Sequence, residues 1–220
     1  MGEAELLTGS QELVIRSVFH FYGDASSDKL AEDIARDIQS HWNQPRAKVQ
    51  LRKGLFSVRF EISATHHTSI DPELIWYNDN PTFNFFRIEE YVLGNISFVD
   101  GLNCNTGYFK LDNLLQTSTT AAHEYGHTIG LDHPTSLDIR GLEIPGIMYP
   151  RGTICDPHFQ YVAAVRAGEP GGTLDPRHRK VQAVDVDDLK LHRLHFNEKN
   201  RAVVGGFSSI YHEKHVAPSS

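Results

Sequence analysis

The sequence predicts an α+β fold. A mixed β-sheet with two main helices forms the N-terminal part, and an irregular C-terminal part ends in a helix. Three observations point there. Within the first 62 residues, apolar strand patterns flank one amphipathic helical pattern, an order that packs a helix on a sheet. A second helical stretch ends at Gly130. Beyond it lies a Gly- and Pro-rich run of about 50 residues with no clear period.

Residues 1–11 read as a flexible lead-in. Leu13 to Tyr22 is dense in β-branched and aromatic residues and predicts a buried strand. Gly23, Asp24, Ser26 and Ser27 form a turn that can cap a helix. In that helix Leu30, Ala31, Ile34, Ala35, Ile38 and Trp42 share a face, with Asp28, Glu32, Arg36 and Asp37 largely off it. Asn43-Gln44-Pro45 stops it. Lys48 to Leu51 is a short strand. In Leu55 to Ile62, Phe56, Val58, Phe60 and Ile62 alternate with Ser57, Arg59 and Glu61. Thr65 to Phe85 reads as loop, with further strands at Arg87–Val92 and Tyr108–Leu111. Thr117 to Ile129 predicts a helix capped by Thr117 or Ser118. A last helix spans about Asp185 to His195, with Asp185 as its cap. Residues 197–220 are polar and read as an extension beyond a single domain of residues 1–196.

The chain has 220 residues, a net charge of −7 and 40% hydrophobic residues, which is too apolar for a disordered chain. The acidic balance argues against nucleic acid as a partner. No window approaches the roughly 20 apolar residues of a transmembrane segment. The acidic start, Met1 to Glu5, lacks the basic and apolar regions of a secretory signal, which leaves a cytosolic location open. Cys104 and Cys155 fit either one disulfide or two buried thiols.

The chemistry concentrates at residues 123–133, His-Glu-Tyr-Gly-His-Thr-Ile-Gly-Leu-Asp-His. On a helix, His123 and His127 are separated by about 400° and ~6 Å, so both imidazoles leave one face and can share a zinc ion. His133 would lie about 240° from His127 if the helix continued, so the chain must turn between them. Gly130 sits where positive φ is needed for that turn. Three His ligands leave one zinc position for water, the arrangement of a catalytic ion. Glu124 stands about 100° off the ligand face, beside the metal, where it can take a proton from the water and return it to a leaving amine.

With Gly130 and His133 added to the short His-Glu-x-x-His pattern, the motif resembles that of the metzincin zinc endopeptidases. Their second mark is a methionine turn beneath the zinc, and Gly146-Ile147-Met148-Tyr149-Pro150 stands at a suitable distance. The resemblance covers roughly residues 12–196. It implies a twisted sheet and active-site helix (1–132), then a smaller irregular part (133–196). Gly130-Leu131-Asp132-His133 and Met148-Tyr149-Pro150 look most like matrixins. Pro134 departs from the matrixin pattern directly after the third His, and Gly152 and the long segment 151–176 depart from it at the pocket for the residue after the cut bond. The resemblance implies a monomeric zinc metalloendopeptidase acting on protein or peptide substrates, bound along an edge strand. It also implies an extracellular, secreted location. Tyr149 is expected to pack below the site as support rather than to bind the metal.

Two other classes fit the same residues: a catalytically idle zinc-binding interaction module, and an amidase using the same zinc chemistry. Asp100, Asn103 and Asn105 supply oxygen donors in one loop and could hold Ca2+, as in several metzincins. His66, His67 and Asp71 read as a polar loop rather than a second metal site. His212 to His215 reads as a solvated tail, and His192 and His195 as residues on the outer face of the last helix.

Overall fold

The computed structural model describes residues 1–115, 118–141 and 144–216. Its strands are β1 Gly2–Leu7, β2 Glu12–Tyr22, β3 Lys48–Leu51, β4 Gly54–His66, β5 Phe83–Glu89, β6 Phe98–Val99, β7 Thr106–Lys110 and β8 Arg201–Val204. They form one mixed sheet. The helices are α1 Asp28–Asn43, α2 Pro72–Trp76, α3 Thr120–Thr128 and α4 Ala183–Asp188. The α+β class is therefore as the sequence predicts. No helix is long and apolar enough to cross a membrane.

Strands β4, β2, β5 and β7 run parallel in that order, with antiparallel β3 and β6 at the two ends. Parallel central strands are covered on both faces, which explains why β5 is buried over nearly its whole length, with Phe85, Phe86 and Ile88 fully so. The edge strand β6 is short and pairs only through Phe98 and Val99.

The amphipathic pattern of α1 is realised. Ala31, Ile34, Ala35, Ile38 and Trp42 are buried, and Ser27 caps the helix by accepting from the Leu30 N–H at 3.2 Å. At its end, Asn43 exchanges two hydrogen bonds with the Phe60 backbone of β4, at 2.8 and 2.9 Å. Trp42 then reaches α3, where its indole N–H donates to the Ala122 carbonyl at 3.0 Å. Tyr125 of α3 sets its ring edge-on against Trp42, and its hydroxyl lies 2.9 Å from Ser17 Oγ on β2. These contacts fix α3 against both the first helix and the sheet.

Several expectations are corrected. Residues 1–11 are not a flexible lead-in: β1 pairs with β2 from Glu3–Arg16 to Leu7–Glu12 and buries Ala4 and Leu6. Nor do residues 197–220 read correctly as a polar extension, because β8 adds antiparallel to β1 and buries Ala202 and Val204. Beyond β8, His212 Nε2 lies 2.9 Å from both Asp100 carboxylate oxygens, so the His212–His215 stretch is docked rather than solvated. The loop expected over Thr65–Phe85 holds the end of β4, all of α2 and the start of β5. The strands expected at 87–92 and 108–111 begin earlier, at Phe83 and Thr106. The last helix stops at Asp188 and is followed by a 3-10 turn, Leu191–Arg193. Its N-cap is Gln182, and Asp185 reaches back to the Gln182 N–H at 2.7 Å.

His20 on β2 packs between Phe83 and Phe85, with its Nδ1 2.9 Å from Nε2 of His67. Burial, reinforced by His67, lowers its pKa to about 4. The unfolded chain protonates this imidazole near pH 6.5 and the folded chain resists until about pH 4, so stability should fall as pH drops through that window. Denaturant melts at pH 7, 5.5 and 4 check this. His20→Phe should reduce the fall, and an unchanged pH slope in that variant would contradict the assignment.

Candidate metal centre

Helix α3 is short and almost wholly buried, with only His127 partly open. The expected cap Thr117 lies outside the described residues. Ser118 Oγ accepts from the Thr120 N–H at 3.2 Å. At the other end the helix closes on Gly130, whose φ is +106°. The Leu131 N–H bonds the Gly126 carbonyl at 2.9 Å and the Gly130 N–H bonds that of His127 at 3.2 Å. That crossed pair is a Schellman closure, and it requires the left-handed residue that glycine supplies. The chain then doubles back and brings His133 onto the ligand face.

His123, His127 and His133 meet there. His133 Nε2 lies 3.1 Å from Nε2 of both His123 and His127. Among the described residues, this is the one group of three His, Cys, Asp or Glu side chains placed to share a metal ion. His123 is buried, His127 intermediate and His133 exposed, so the cluster opens outward on the His133 side.

The chemistry of the donor set fits a cation. His123 Nδ1 lies 2.7 Å from the Ile147 carbonyl, and His127 Nδ1 lies 2.7 Å from that of Leu131. A carbonyl only accepts, so each Nδ1 carries the proton and each Nε2 presents a lone pair. Tetrahedral ligands at ~2.0–2.1 Å from zinc stand about 3.3–3.4 Å apart, close to the spacings observed. Burial holds all three imidazoles below their ordinary pKa, and the Arg179 charge acts in the same direction. The neutral, metal-binding form is thereby favoured.

Glu124 lines the same cleft of about 430 Å³ as the three histidines, together with Val99 on the edge strand and Arg151 and Arg179 from the C-terminal part. Burial pushes its carboxyl up to about 8, while Arg179 and Arg151 pull it down. A divalent cation among the imidazoles would add to that pull and favour the carboxylate.

Met148 is buried beneath α3. A Cβ on Gly126 would stand 2.3 Å from the Met148 sulfur, so only glycine leaves room for the thioether. Gly126 carries no role in the sequence pattern alone. The available signal was a glycine inside a short helix, which costs ~1 kcal/mol against alanine and calls for a packing reason. Gly126→Ala should therefore displace Met148 and lower the melting temperature despite its better helix propensity. An unchanged or raised melting temperature would contradict that packing.

Asp185, expected as the cap of the last helix, stands at its third residue instead. Its Oδ2 accepts from the Gln182 N–H at 2.7 Å, and burial raises its pKa to about 6 while the Gln182 and Ile147 backbone N–H groups hold it down. The Ile147 carbonyl in turn orients His123, so α4 supports the turn that holds a ligand. Tyr149 packs against the small cluster of Ile139, Cys155 and Leu174, and its carbonyl accepts from Arg179 Nη1 at 3.0 Å.

Other candidates separate. Asp100 is engaged by His212 and Thr106, and Asn105 Oδ1 accepts from the Ser208 N–H at 2.6 Å, so these candidate calcium donors already serve protein partners. His67 faces His20, whereas His66 faces Asp28 at 3.3 Å. Cys104 and Cys155 are free thiols. His192 and His195 are exposed.

No protein-family model matches the chain, and no curated protein matches it either. Function has to be argued from the site itself.

Proposed function

We propose that this chain is a zinc-dependent endopeptidase of the metzincin type, nearest in motif to matrixins. His123, His127 and His133 are the zinc ligands, and Glu124 is the general base and acid. One observation carries the proposal: three imidazole Nε2 atoms converge at a cleft that Glu124 also lines, above a buried methionine. Two of the rings are locked by backbone carbonyls in the metal-binding tautomer.

When bound, the zinc ion supplies Lewis acidity, lowering the pKa of water to about 7 and polarising a carbonyl. The protein's part is positional. Glu124 accepts the proton of the attacking water and delivers it to the leaving amine. Thr120, His123, Glu124 and Arg179 form a buried part of the cleft lining, where charges act more strongly than in open water. The antiparallel end strand β6 borders the cleft and offers its free edge to an extended peptide, which would bind by main-chain hydrogen bonds. Pro150, Arg151 and Gly152, at the start of the long segment 151–176, form another part of the wall and shape what the cleft accepts.

The test is a peptide-library digest with mass-spectrometric mapping of cut sites. Cleavage of internal peptide bonds should occur, stop with a chelator and return with zinc. Zinc binding without cleavage of any polypeptide would favour the idle module or the amidase. Cleavage indifferent to chelators would contradict the zinc mechanism.

A further inference from the structure

Arg179 stands apart from Arg87, the other buried arginine among the described residues. Arg87 is satisfied by Glu89, with Nη2 2.6 Å from a carboxylate oxygen. Arg179 is only 3% exposed, yet its hydrogen-bond partners among the described residues are two neutral oxygens, Thr119 Oγ1 at 2.9 Å and the Tyr149 carbonyl at 3.0 Å. Those bonds use Nε and Nη1. Nη2 makes no hydrogen bond among the described residues, and Arg179 is one of the residues that line the cleft.

Burial depresses the Arg179 pKa to about 10, which still leaves it charged at neutral pH. Glu124 and, more weakly, Asp175 raise that pKa through space but neither is hydrogen-bonded to Arg179, and a buried charge without a bonded counter-ion is costly. Its anchor Thr119 is the N-cap of α3, so the guanidinium sits at the positive end of that helix, where a cation is further disfavoured. Arg151 adds a second guanidinium to the same cleft. A chain of net charge −7 thus carries a locally cationic cleft, with Glu124 as the opposing carboxylate and a divalent metal among the imidazoles on the reading above. Electrostatic complementarity calls for an anion, and a planar carboxylate matches the guanidinium fork.

We propose that Arg179 is a specificity-determining residue that binds a carboxylate of the peptide substrate next to the scissile bond. The carboxylate is either an Asp or Glu side chain or the free C-terminus of a short peptide. This rests on the endopeptidase reading of the cleft.

The experiment compares peptides differing only by Glu or Gln at each position flanking the cut, each made with an amidated and a free C-terminus. The zinc-loaded chain should prefer Glu over Gln at one position by about tenfold or more in kcat/KM, mainly through KM. Preference for the free acid over the amide would assign the carboxylate to the C-terminus instead. Arg179→Met should erase the difference and Arg179→Lys should keep part of it. Binding of the same peptides to the Glu124→Gln variant, read by fluorescence anisotropy, needs no turnover. If no peptide is cut but Glu is bound over Gln, the endopeptidase reading fails and the carboxylate site stands. Equal handling of Glu and Gln, and of acid and amide, by the unaltered chain would overturn the proposal and leave Arg179 as a tie between Thr119 and Tyr149.

Discussion

Glu124→Ala is expected to retain one zinc ion per chain and to lose peptide hydrolysis by roughly 10²–10⁴-fold, the range for removal of a positioned general base. The carboxyl lies on α3 next to a ligand but does not belong to the three-imidazole group. Metal content should therefore survive its loss. Its burial raises its pKa to about 8, which means the fold bears a cost for holding it ionised at neutral pH. The isosteric Glu124→Gln should accordingly melt no lower than the parent in the metal-free state. Zinc content, kcat/KM on an unfolded protein and melting temperature together check this. Loss of zinc would mean that Glu124 ligates the metal, and parental turnover would remove it from the mechanism.

Gly130→Ala is expected to weaken zinc binding at least about tenfold while costing stability of the order of 1–2 kcal/mol. The residue holds φ at +106°, and a Cβ there would stand 2.6 Å from Asn103 Oδ1. Relief of either strain rotates the chain just where it turns back toward His133. The same movement shifts the Leu131 carbonyl that orients His127. A useful comparison is Gly54→Ala at the β3–β4 turn, with φ +132° and its nearest neighbour at 4.0 Å. That variant should lose stability but keep its zinc affinity. Chelator competition measures both. If the two variants bind zinc alike, Gly130 has no special part in placing His133.

Helices α1 and α3 were legible because their signals are local, whereas the short α2 falls in a stretch read as loop. The face of α1 is written in Ala31, Ile34, Ala35, Ile38 and Trp42, and all five are buried. The three-histidine cluster was legible for the same reason: its members lie within eleven residues, and one glycine supplies the turn between them. What was not legible depends on partners far along the chain. Glu3, Ala4, Glu5 and Leu6 alternate as a strand should and pair locally with β2, but the second partner, β8, lies about 200 residues on. His212 looks like a tail residue until Asp100 is found beside it. Arg179 sits in an aperiodic run, and nothing nearby in sequence says that it is buried against Thr119 and Tyr149. Gly126 was readable in principle, as a glycine in a helix interior, but its reason lies in Met148 on another segment.

The most direct test of the central claim is anomalous diffraction at the zinc edge from crystals of the zinc-loaded protein. The account predicts a single strong peak about 2 Å from Nε2 of each of His123, His127 and His133, with Glu124 outside the ligand set. A peak elsewhere, or none within reach of those three nitrogens, would contradict it.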